Sequence, residues 1–168
     1  HSLGGMIAPA YALKFPKHTI SVGLLSTVAG RSEEDSKKVW NVIYEMEKNG
    51  IEKTLQTLTD RWFTDEFIKN NPELVQRRLK QVVDTDPEVF LNVFKIYAKT
   101  EMLPWLKNIS NRCLLLTGEN DSGCSPKHNE IMANEIKYSK LVILPKYKHS
   151  FLIEAPNEVA ENLIEFIN

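Results

Sequence analysis

Apolar and polar positions follow two different periods along this chain, and the change of period divides it into three blocks. In residues 1–28 a small, apolar run from Met6 to Leu13 suits a helix, and Thr19-Ile20-Ser21-Val22-Gly23-Leu24-Leu25 reads as a strand. In residues 29–108 the apolar positions recur at helical spacing and no segment reads as a strand. Ser32 followed by Glu33-Glu34-Asp35 predicts a capped helix start with an acidic first turn. Val39, Trp40, Val42, Ile43 and Met46 mark its inner face, and Asn49-Gly50 ends it. Further helices are predicted over 51–60, Pro72–Val83 and Pro87–Lys99, with each proline in a first turn, where its missing N–H is harmless. In residues 109–168 strands and helices alternate. Cys113-Leu114-Leu115-Leu116 predicts a buried parallel strand, Leu141-Val142-Ile143-Leu144 a second, and 157–167 an amphipathic helix. The pattern is that of an α/β chain with an all-helical insertion.

Composition narrows the class. Hydrophobic residues make up 42% and charged residues 26%, enough for both a core and a solvated surface. A formal net charge of -1 gives no electrostatic reason to expect nucleic acid or an anionic membrane as partner. No apolar run approaches the roughly 20 residues of a membrane span. A cytoplasmic location is the default expectation. Two cysteines are too few for a disulfide scaffold, and Cys113 reads as a small core residue.

Three short segments carry the candidate chemistry. His1-Ser2-Leu3-Gly4-Gly5 reads as the tail of a G-x-S-x-G elbow, in which a strained turn between strand and helix exposes a serine hydroxyl. The turn predicts that a side chain at Gly4 would collide with neighbouring backbone. Alone, Ser2 also fits an ordinary turn. Asp121 follows the strand ending in Thr117-Gly118 and lies where α/β sheets place their sites; alone, it also fits a cap for a helix starting near Pro126. His149 follows the second strand; alone, it also fits a surface loop. His18, in a Lys-rich turn, and His128, at a polar helix start, have no comparable setting. Together, Ser2, Asp121 and His149 stand in the order nucleophile, acid, histidine, each where a strand gives way to a loop or helix.

On these residues the chain resembles the carboxyl-terminal part of an α/β-hydrolase: α/β parallel-sheet strands with helices and an inserted helical cap. The blocks are then 1–28 (elbow, helix and strand of the core), 29–108 (cap) and 109–168 (strands carrying acid and histidine). Asp60-Arg61-Trp62-Phe63-Thr64-Asp65, with Asn71-Pro72-Glu73, is similar to the cap of 3-oxoadipate enol-lactonases. The resemblance implies a serine hydrolase of lactones or carboxylic esters. Ser2 is then the nucleophile, His149 its base, Asp121 the group that orients His149, the Leu3 N–H an oxyanion donor, and Trp62 a substrate contact. It implies no metal and no organic cofactor, and a small-molecule partner. Two other activities stay open: hydrolysis of carbon–carbon bonds in β-diketones, and ligand binding with little turnover. Where those lactonases carry small residues and cysteines, this chain has Phe90-Leu91-Asn92-Val93-Phe94, which predicts a different acid or ester. The fold also needs strands before the elbow, so a missing N-terminal half is expected, in the same chain or a separate one. Without it the piece is expected to be unstable.

Overall fold

The computed structural model describes residues 1–168 apart from the side chain of Gln56. It divides into two compact units, His1–Gly30 with Glu101–Asn168, and Arg31–Thr100.

The first unit holds a parallel sheet of β1 (Ser21–Leu25), β2 (Arg112–Gly118) and β3 (Ser139–Leu144), in that order. Val22 pairs with Cys113, and Leu115 with Leu141. Six consecutive buried residues, Cys113 to Gly118, make β2 the centre of this sheet. Successive side chains point to opposite faces. On one face Leu114 and Leu116 join Leu25, Leu144, Phe151 and Val159 in a core cluster. That cluster draws on α9 (Phe151–Glu154) and α10 (Pro156–Ile167). Against β2 and β3 also packs α8 (Pro126–Glu135), with Met132 fully buried. The helix leaving the elbow, α1 (Gly4–Lys14), packs on β1. One expectation fails here: β3 is not a buried strand. Leu144 alone among its six residues is buried, because β3 is an edge of the described sheet.

The second unit is all helix: α2 (Glu33–Asn49), α3 (Ile51–Trp62), α4 (Asp65–Asn70), α5 (Pro72–Val83) and α6 (Pro87–Lys99). Its short α4 was not predicted. A fully buried α7 residue, Leu106, belongs instead to the sheet unit, where α7 spans Leu103–Leu106. Ser32 caps α2 in a complete capping box with Asp35, and Gly50 leaves that helix at φ 84°. Asp86 caps α6, accepting from the amides of Glu88 and Val89. Leu55, Leu58 and Val82 form the core of this unit, with Val42, Ile51, Trp62, Leu79, Phe90 and Phe94 packed around them. The Arg31 guanidinium closes the end of α6, donating to the carbonyls of Tyr97, Ala98 and Thr100.

Candidate active site

Because the strands are parallel, β1, β2 and β3 end on the same side of the sheet. Ser26 follows the first, Asp121 lies just beyond the second and His149 beyond the third. The elbow is tied to this same end, since the Ser2 N–H donates to the Leu25 carbonyl at 2.9 Å. Carboxyl ends of parallel strands are where such sheets gather their sites.

Three non-glycine residues have left-handed backbone among the described residues: Ser2 at φ 53°, Ser26 at 43° and Lys146 at 64°. All three lie at this end of the sheet. L-residues avoid that region because Cβ crowds the carbonyl, so the surrounding structure must enforce it. At the elbow, the Gly4, Gly5 and Met6 amides donate to the His1, Ser2 and Leu3 carbonyls, all at 2.9 Å. The Leu3 N–H has no such partner among the described residues, and it stands at the positive end of α1.

The role expected of Gly4 belongs to Gly5. A Cβ on Gly4 meets nothing within 4 Å, whereas one on Gly5 would lie 2.6 Å from Thr27 Cβ. The constraint is not the turn itself. It is the close approach of α1 to the segment after β1.

Asp121 is 2% exposed and all of its acceptor capacity is used. Oδ1 accepts from the amides of Gly123 and Cys124, both at 2.9 Å. Oδ2 accepts from the Ser26 hydroxyl at 2.5 Å and from His149 Nδ1 at 2.7 Å. An ionised carboxylate has no proton to give, so Nδ1 donates to it, and in the neutral ring Nε2 is the nitrogen that holds the lone pair. Burial works against charge on Asp121, but His149, Ser26 and the Cys124 amide outweigh it and hold the carboxyl below its ordinary range. Burial also works against charge on His149, and there too it is outweighed: Asp121 and Cys124 raise the imidazole above its usual 6.5.

The loops carrying Asp121 and His149 are laced together. The Glu119 N–H donates to the Leu144 carbonyl, and the Asn120 N–H to the Tyr147 carbonyl, both at 2.9 Å. Asn120 Nδ2 donates to the Lys146 carbonyl, and the Lys146 N–H to Glu119 Oε2. Gly118 permits this approach, because a Cβ there would sit 2.5 Å from the Lys148 carbonyl and closer still to that of Tyr147. Gly118→Ala is therefore expected to destabilise the protein by about 1–3 kcal/mol, as overpacking does. Gly4→Ala is expected to cost nothing measurable. Urea unfolding midpoints of the two variants check the contrast.

Two residues that the sequence left aside take part. The His1 ring packs on the His149 ring at a centroid distance of 4.7 Å, and its Nε2 donates to the His149 carbonyl at 2.9 Å. His1, the residue before Ser2 in the chain, thus packs on His149. Ser26, whose hydroxyl reaches Asp121, was not foreseen either. His128, in the first turn of α8, is buried and shares a hydrogen bond with Ser125 at 3.0 Å. Trp62 lies in the helical unit, packed on Leu55, Leu58 and Val82, with the Arg78 guanidinium 5.8 Å from its ring centroid. Donor atoms of Asp121, Cys124 and His149 lie within 4.8 Å of one another, the spacing of a metal site. Cys113 is a buried core thiol, pushed up to about 11 by burial. No helix among the described residues is long and apolar enough to cross a membrane.

No protein-family model matches the sequence. The chain is 25% identical over 171 residues to 3-oxoadipate enol-lactonase 2 of Acinetobacter baylyi, covering 99% of this chain and 62% of that one. Among solved structures, the enol-lactonase of Burkholderia xenovorans aligns with a TM-score of 0.90 at 20% identity, over 99% of this chain and 63% of that one. A thermophilic esterase of Thermogutta terrifontis aligns with a TM-score of 0.84 at 23% identity, over 99% and 62%. The chain thus spans a little under two thirds of the length of these proteins. Over that length its fold is that of the α/β-hydrolases.

Proposed function

We propose that these residues form the site of a serine hydrolase that cleaves a lactone or carboxylic ester through an acyl-enzyme on Ser2. One observation carries the reading above the others. The Asp121–His149 hydrogen bond of 2.7 Å fixes the tautomer that leaves Nε2 basic, and His1 packs on that imidazole with the strained Ser2 next in the chain. The likeness to enol-lactonases and an esterase supports the substrate class.

In the proposed reaction Ser2 Oγ attacks the carbonyl carbon while His149 Nε2 takes its proton. Asp121 keeps the ring oriented and stabilises the imidazolium. The Leu3 N–H donates to the oxyanion, a contact whose loss typically costs about 3 kcal/mol of barrier. The imidazolium returns the proton to the leaving oxygen as the carbonyl–oxygen bond breaks. Water, deprotonated by Nε2, then attacks the acyl carbon and frees Ser2. With a lactone, the leaving oxygen remains tethered to the acyl group.

Product analysis tests the reading. Enol-lactones and simple carboxylic esters are expected to yield an acid with the corresponding alcohol or enol. Cleavage of a β-diketone into two carbon fragments would move the activity to carbon–carbon bonds. Saturable binding without turnover would remove it altogether.

The pH dependence has a definite sign. Only neutral His149 accepts the Ser2 proton, and its neighbours favour the charged ring. Activity is therefore expected to fall as pH falls, with the midpoint of the acid limb above 6.5, the ordinary imidazole value. A profile of kcat/KM against pH in the full chain checks this; a midpoint below 6.5 would mean that burial outweighs Asp121.

A further inference from the structure

The proposed reaction gives work to Ser2, Asp121 and His149 and leaves Ser26 without any. Yet Ser26 is fully buried, its backbone stands at φ 43°, and its hydroxyl makes a 2.5 Å bond to a residue 95 positions away. Its own N–H donates to the Leu116 carbonyl of β2 at 2.8 Å, which pins the backbone where the sheet ends. A serine hydroxyl ordinarily satisfies itself on nearby backbone. Here the left-handed conformation aims it across the sheet instead.

The distribution of donors on Asp121 shows what that aim achieves. Backbone amides hold Oδ1, so the rotation of the carboxyl group is set from the Asp121 loop. Oδ2 accepts from both Ser26 and His149. We propose that Ser26 is a positioning residue for His149: its hydroxyl anchors Oδ2 so that one lone pair faces Nδ1, and it takes up part of that oxygen's negative charge. The effect on turnover rests on the serine-hydrolase reading; the effect on the histidine does not.

The groups facing the pair are few. Asp121 and Cys124 face His149 from the loop after β2, and the His1 ring faces it from the segment before α1. Asp121 is faced by His149, by Ser26 and by the Cys124 amide. Removing the Ser26 hydroxyl changes no formal charge among them. It leaves the carboxylate with one donor fewer and therefore more basic. A more basic carboxylate pulls harder on the Nδ1 proton and favours the imidazolium. A purely structural serine would lower stability and rate at every pH without moving the histidine.

Ser26→Ala and Ser26→Gly, made in the full chain, separate these roles. Glycine adopts positive φ freely, so agreement between the two variants excludes release of strain as the cause. In both, NMR of the imidazole ring is expected to show His149 titrating about one pH unit higher, the size expected for a lost hydrogen bond to a charged group. The acid limb of kcat/KM is expected to move with it, lowering the rate at a pH below the limb by about tenfold. An unchanged His149 titration in both variants overturns the proposal. The NMR readout needs no turnover, so it still decides the role of Ser26 if Ser2 turns out not to be the nucleophile.

Discussion

Ser2→Ala is expected to lower kcat by about 10,000-fold or more, as removal of a triad nucleophile does, with substrate binding little changed. The loss is chemical. Ser2 is only partly buried, and its hydroxyl is not part of either core cluster. Its φ of 53° makes a second variant informative. Ser2→Gly is expected to lose activity to the same extent and to gain up to about 1 kcal/mol of stability, because relief of a left-handed penalty of about 1–2 kcal/mol exceeds the roughly 0.4–1 kcal/mol that glycine's freer unfolded chain costs. Steady-state kinetics and thermal unfolding, run on both variants, check the two halves. An inactive but stabilised glycine variant would mean that the backbone strain at the elbow is kept for function. Unchanged turnover in either variant would exclude Ser2 as nucleophile.

Asp121→Asn is expected to lower kcat by about 10,000-fold through the tautomer of a ring it does not replace. The amide oxygen of asparagine still accepts from the backbone, so the loop keeps its anchors on Gly123 and Cys124. The amide nitrogen then faces His149 Nδ1 and donates to it. The ring proton moves to Nε2, and the base facing Ser2 is gone. The Ser26 hydroxyl loses its acceptor in the same step. The variant is expected to fold, since its shape is that of the parent, and circular dichroism checks this beside the kinetics. Retained activity in a folded Asp121→Asn protein would mean that His149 is oriented by something else.

Local signals in the sequence carried much of this arrangement. Proline in the first turn located α5 and α6, and a serine with three acidic residues located α2. The apolar run after Arg112 located β2, and its glycine and aspartate located the loop beyond it. Those signals act within a few residues of the structure they specify. What escaped depends on segments that meet only after folding. Gly5 and Gly118 are needed because Thr27 and the 147–148 backbone approach them, and no local pattern distinguishes them from Gly4. Ser26 reads as an ordinary serine at a strand end until β2 is laid beside β1. His1 occupies a variable position of its motif, yet its ring covers His149. Leu141-Val142-Ile143-Leu144 is uniformly apolar and so reads as buried, but an edge position leaves Ile143 of β3 37% exposed. Short helices such as α4 and α9 carry too few residues to set a period.

Intact mass spectrometry of the full chain before and after reaction with a fluorophosphonate, at a pH above the acid limb, tests the central claim most directly. Such a probe reacts with a serine only when an assembled base and oxyanion site activate it. A single adduct that maps to Ser2, and is absent from Ser2→Ala, is the predicted result. A folded protein that takes no adduct, or takes one at another serine, would contradict it.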